Sequence, residues 1–203
     1  MGYALTPIAV RLDDVKAKLG SGDARLCAQV AAELEDEAEE IDELAQEAAE
    51  DRDVEPLTLR DALSHLIMGT DREAQLGFVY GYAFAFLCQH LGETLDNAHW
   101  SALASSSNFG TQVDAALAYR GVDETLSVSM LLARGAPLQL PPIDDFPSFG
   151  YLSNVEVQRA LAVLDPAQLA SVTDRRTRDA LSELRGWLVH CAAAGQDLLC
   201  FYC

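Results

Sequence analysis

The sequence predicts an α+β fold that is predominantly α-helical, with a central apolar helix and a small sheet formed from the terminal strands. Three observations predict it. Apolar residues recur at steps of three and four along much of the 203-residue chain, which places them on one face of a helix. One segment, 72–91, is apolar on every side. Short runs of apolar and β-branched residues lie near both ends, at 3–12 and 197–202. Nothing marks a second domain and no internal repeat is visible, so residues 1–203 read as a single globular domain.

Residues 3–12 suit a short strand leading into a helix. Gly20-Ser21-Gly22-Asp23 breaks the chain, with Asp23 or Ser21 available as an N-cap. Leu26, Val30, Leu34, Ala38, Ile41, Ala45 and Ala48 then form one stripe, the inner face of a single long amphipathic helix. Its outer face is acidic. Like charges one turn apart weaken a helix, so fraying is expected towards Asp51. Pro56 ends this segment. Thr58 with Asp61 resembles a capping box and opens a helix through Leu59, Leu63, Leu66 and Ile67 that stops at Gly69.

A helix apolar all round belongs in the centre of a molecule, which assigns 72–91 to the core. Gly77 and Gly81 lie one turn apart there, so another element can approach that backbone closely. Further helices are expected at 98–105, 111–119 and 124–134. The stretch 135–147 holds Pro137, Pro141, Pro142 and Pro147 and cannot sustain a helix. Ser153 with Glu156 is a second capping box, and Asp165-Pro166 starts another short turn. A last helix covers 176–193, and 197–202 reads as a terminal strand.

The formal charge is −18, and it is unevenly placed. Residues 33–55 carry thirteen Asp or Glu and one Arg, a net −12, which leaves −6 for the rest. Such a field repels nucleic acid and anionic membranes and steers a basic partner towards one patch. The longest apolar stretch, 76–91, falls short of the roughly 20 residues that cross a bilayer, and the first residues lack a secretory pattern. The expectation is a cytoplasmic protein whose five cysteines are free thiols.

Several segments together resemble an uncharacterised family of small bacterial proteins, a domain of unknown function. They are Met1-Gly2-Tyr3-Ala4-Leu5 with Ala9-Val10, Leu19-Gly20-Ser21-Gly22-Asp23, and Tyr80-Gly81-Tyr82-Ala83 leading to Cys88-Gln89-His90-Leu91-Gly92-Glu93. Others are Pro142-Ile143-Asp144-Asp145-Phe146-Pro147-Ser148-Phe149-Gly150-Tyr151-Leu152, Arg185-Gly186-Trp187-Leu188 and Gly195-Gln196-Asp197-Leu198-Leu199-Cys200-Phe201-Tyr202. The tract Gly150-Tyr151-Leu152-Ser153-x-x-Glu156-Val157, with the Ala-Gly-x-Asp-Leu-Leu ending, is also distantly similar to the YfbM-like proteins. That resemblance implies an α+β fold with strands near the termini and brings no activity with it. The acidic run is outside the matching pattern.

No motif places a catalytic nucleophile or a phosphate-binding loop. Cys200 and Cys203, with His190 and Cys191, have donor types that suit zinc, but only one of the two pairs has familiar spacing. Buried or terminal thiols are the simpler account. Asp61 and His65 sit one turn apart, as in general-base pairs, but a solvated or capping His is the simpler account. His90 is expected to bond the last carbonyls of its own helix. Asp144, Asp145 and Tyr151 suit a ligand pocket under the 137–151 loop; equally, the aspartates cap that loop while Phe146 and Tyr151 pin it.

The leading reading is therefore a binding protein rather than an enzyme, with no cofactor and no metal. It would be an immunity-type or antitoxin-like inhibitor, covering a basic surface of a protein partner with Asp36, Glu39, Glu40, Glu43 and Glu47. A small enzyme or ligand-binding domain using the 137–151 loop is the alternative.

Overall fold

The computed structural model describes residues 4–70, 76–101, 103, 108–122, 126–144 and 146–203, without the side chains of residues 35 and 36. The fold is α+β and mostly helical: the described residues form ten helices and one four-stranded antiparallel sheet. They gather into two compact units. A helical unit is drawn from Asp13–Leu91 and Leu138–Pro147, and a sheet unit from Met1–Leu12, Gly92–Pro137 and Ser148–Cys203.

The helical unit contains α1 (Leu12–Lys18), α2 (Ala24–Glu33), α3 (Glu35–Arg52), α4 (Leu59–Met68) and α5 (Gly77–Leu91). Local chemistry fixes most boundaries. The Asp23 carboxylate accepts from Leu26 N at 3.0 Å and caps α2. Thr58 Oγ1 accepts from Asp61 N at 3.1 Å and donates to the Asp61 carboxylate at 2.6 Å, opening α4. The α1–α2 connection closes the other end of α4, with Gly20 N donating to Leu66 O and Gly22 N to Ile67 O.

The expected single helix is in fact two. It breaks at Leu34, which takes φ −96° and ψ 6°. The apolar stripe continues in phase across the break, and Leu34, Ala38, Ile41, Ala45 and Ala49 are all buried. No fraying is seen towards Asp51. α3 runs to Arg52, and Asp53, at φ 53°, closes it with its amide directed at Ala49 O and Glu50 O.

As its composition predicts, α5 is buried almost throughout, with Val79, Tyr80, Ala83, Phe84, Leu87 and Cys88 inaccessible to solvent. Full burial of a large apolar side chain stabilises by about 1.5–3 kcal/mol, so this helix is a major part of the unit's core. The proline-rich strap 138–147 lies directly on it. A Cβ at Gly77 would clash with the Pro142 carbonyl, and one at Gly81 would come within 2.7 Å of the Pro147 ring. Only glycine permits that approach.

In the sheet unit, β1 (Leu5–Val10), β2 (Glu93–Thr94), β3 (Ser148–Leu152) and β4 (Asp197–Tyr202) lie in the order β2-β1-β4-β3. The terminal strands pair as predicted, with Ile8 opposite Leu199. β2 and β3 add to the sheet without having been anticipated. Packed with it are α6 (Phe109–Ala118), α7 (Val128–Ala133), α8 (Asn154–Val163), α9 (Pro166–Ala170) and α10 (Arg175–Ala194). Of the helix predicted at 98–105, residues 98–101 form a turn, residue 103 is helical, and residues 102, 104 and 105 lie outside the described residues. That predicted at 124–134 is shorter, starting at Val128 with Ser127 as its cap.

Candidate functional site

α3 presents a charged surface because its two faces have opposite needs. Ala38, Ile41, Ala45 and Ala49 occupy the inner face, none more than 8 % exposed. At about 100° per residue, Glu40, Glu43 and Glu47 fall within roughly 40° of the opposite direction, and Glu39 stands to one side. All four are exposed. Asp36 occupies the first turn, and its side chain lies outside the described residues.

Several acidic residues of this segment have internal roles. Asp42 Oδ1 accepts from Leu59 N at 2.7 Å and so serves the start of α4. Glu33 Oε2 accepts from His90 Nδ1 at 2.8 Å. His90 therefore serves α2 rather than the last carbonyls of its own helix, correcting the sequence expectation. Glu50 is held by Gln46 one turn back. Arg52 pairs with Asp144 at 3.4 Å, tying the end of α3 to the strap.

Where α2 meets α3, the break opens a cleft of about 180 Å³. Val30, Leu34 and Phe86 supply apolar lining, while Glu33, Glu37, Gln89 and His90 supply polar groups. Sequence reasoning did not find it, because it joins residues 30–37 to 86–90 across a turn that carries no glycine or proline signal.

Of the loop residues expected to line a pocket, Asp144 is exposed and belongs to the helical unit, and Asp145 lies outside the described residues. Tyr151 belongs to the sheet unit, on β3, with the Arg134 guanidinium 4.1 Å from its ring centroid. Asp61 and His65 do not pair in the manner of a general base. Asp61 is held by Thr58, and His65 Nδ1 is hydrogen-bonded to the buried Tyr80 hydroxyl at 2.9 Å. Burial pushes the thiols of Cys88 and Cys200 well up, and that of Cys191 to about 12, so they stay protonated at neutral pH. Among the described residues, no three His, Cys, Asp or Glu side chains converge to hold a metal.

Residues 1–203 match the domain of unknown function DUF7691 over their whole length. The chain belongs to the DUF7691 family. No curated protein and no solved structure matches it.

Two networks in this DUF7691 chain explain residues that carry the resemblance. Asp197 accepts from Leu12 N, just after β1, at 2.8 Å and from Asn154 N at 2.7 Å, so one carboxylate also serves the first amide of α8, whose N-cap is Ser153. Asn154 in return donates to Gln196 O at 2.7 Å. Arg134 reaches Tyr151 O at 2.8 Å and both Glu156 oxygens at 3.0 Å, while Glu156 completes the Ser153 capping box. With Gly135 N donating to Phe149 O, these contacts occupy outward carbonyls of edge strand β3. Burial raises the pKa of Glu156, but Arg134 and Ser153 together outweigh it and hold the carboxyl below its ordinary value. Both networks are scaffold.

Among the described residues no helix is long and apolar enough to cross a membrane.

Proposed function

We propose that this DUF7691 chain is an acidic cytoplasmic binding protein whose α3 face covers a basic surface of a protein partner, in the manner of an immunity-type or antitoxin-like inhibitor. The observation that carries the reading is a well-formed α3, anchored by Ala38, Ile41, Ala45 and Ala49, that turns Glu39, Glu40, Glu43 and Glu47 to solvent. Closely spaced carboxylates on an anchored helix act as one patch, which accelerates encounter with a cationic surface and disfavours nucleic acid. A bacterial setting and the distant YfbM-like similarity belong to the same reading.

The test is capture of partners from the native cell, followed by association kinetics across ionic strength. The association rate should fall by about tenfold or more between low and high salt, and Glu39→Gln/Glu43→Gln/Glu47→Gln should flatten that dependence. A salt-independent association rate counts against the proposal. The alternative of an enzyme or ligand site under 137–151 draws less support, since the strap rests directly on the α5 backbone at Gly77 and Gly81.

A further inference from the structure

The cleft at the α2–α3 break has a lining that is chemically mixed in a particular way. Its polar part is electronegative from independent sources. Glu33 and Glu37 contribute exposed carboxylates. The last turns of α2 and α5, carrying Val30 and Glu33 on one side and Gln89 and His90 on the other, both reach it. A helix C-terminus carries roughly half a negative charge. The N-terminal end of α3 opposes one of these, and Glu37 lies in that first turn. Among the lining residues, His90 is the only side chain able to carry positive charge, and its Nδ1 is already directed at Glu33.

The apolar part decides the kind of cation. Val30 and Leu34 are 1 % and 2 % exposed and form a floor, with the half-buried Phe86 ring beside them. A hydrated metal ion gains nothing from such a floor. A long side chain with an apolar stem and a cationic head matches both parts, and a planar guanidinium also stacks on an aromatic face. The volume, about 180 Å³, lies below the roughly 300–1,000 Å³ of clefts that enclose drug-sized ligands and suits a single inserted side chain.

We infer that this cleft receives one arginine side chain of the protein partner, with Glu33 and Glu37 facing the guanidinium and Val30, Leu34 and Phe86 covering its stem. The inference rests on the proposed docking of a basic partner, and it converts a diffuse acidic face into one with a fixed anchor point.

The full chain is titrated with acetyl-Gly-Arg-Gly-amide, its uncharged citrulline analogue and spermidine. Signals of the Gln89 side-chain amide, the Phe86 ring and the His90 imidazole are followed by NMR. Saturable shifts at these three groups with the arginine peptide alone support the inference. Binding should weaken by about tenfold in Glu33→Gln/Glu37→Gln and persist in Glu43→Gln/Glu47→Gln, with thermal melts checking that both variants stay folded. An equal response to the citrulline peptide, stronger binding of spermidine, or shifts confined to residues 39–50 overturns it. The last outcome leaves the acidic face itself standing as a docking surface. Conversely, partner association that is insensitive to salt removes that broader reading even where the peptide still fills the cleft.

Discussion

Glu43 is where the cost of the acidic face can be measured. It lies one turn from Glu39 on one side and from Glu47 on the other, and three residues from Glu40. All four are exposed on a helix held by its inner face. Each like-charge pair at these spacings destabilises a helix by about 0.2–0.5 kcal/mol. Glu43→Gln removes three such pairs and leaves helix propensity almost unchanged. Solvent exposure reduces the sum, so the variant should be more stable than the parent by about 0.5–1 kcal/mol at low ionic strength.

Urea melts, followed by helical circular dichroism, are the suitable assay, because guanidinium chloride would screen the charges being tested. The gain should be present at about 20 mM salt and disappear near 1 M, where the screening length is only about 3 Å. A variant less stable than the parent at low salt would refute the reasoning, since it would mean that the Glu43 carboxylate has a favourable partner. A gain that survives high salt would also refute it, because the effect would then not be electrostatic.

Three further outcomes follow from the geometry. Asp197→Ala removes the acceptor of the Leu12 and Asn154 amides while Ser153 still caps α8, and it should cost about 1 kcal/mol in a urea melt, the worth of a single cap. Glu156 titrates below its ordinary value of 4.5, so its contribution is present at neutral pH and is lost as pH falls through the lower folded-state value. The stability gap between the parent and Glu156→Gln should therefore be widest near pH 7 and close on acidification, as seen in melts across pH. Gly77→Ala places a methyl group against the Pro142 carbonyl, and it should lower stability by about 3 kcal/mol or more and loosen the strap to limited proteolysis.

Features written in local chemistry were legible in the sequence. The capping residues Thr58, Ser153 and Asp165 act as their types and spacings indicated. The apolar α5 follows from its composition, and the strand character of both ends from their apolar and β-branched runs together with the family resemblance. Features that depend on distant residues were not legible. Leu34 breaks a helix without interrupting the apolar period, because Leu34, Ala38 and Ile41 keep the inner face in register through the turn. β3 lies at the end of a proline-rich stretch, and its strand character comes from pairing with β4, as in Gly150 opposite Cys200. The cleft inherits both difficulties, since it exists only where the Leu34 break meets the end of α5.

The acidic segment also shows why a charge count overstates a surface. Asp42 starts α4, Glu33 holds His90, and Glu50 is bound by Gln46, so part of the net −12 is structural. The exposed Glu39, Glu43 and Glu47, each one turn from the next, repel one another by a few tenths of a kcal/mol per pair. Burying Ile41 alone returns about 1.5–3 kcal/mol, and the small Ala38, Ala45 and Ala49 add further contact on the same face. The helix is therefore held by its inner stripe against the preference of its outer one. Substitutions that relieve the repulsion are expected to raise stability, so keeping the carboxylates would run against stability, as expected where they have another task. Solubility alone does not require them to be adjacent, because the same charges spread over the surface would serve it without the repulsion.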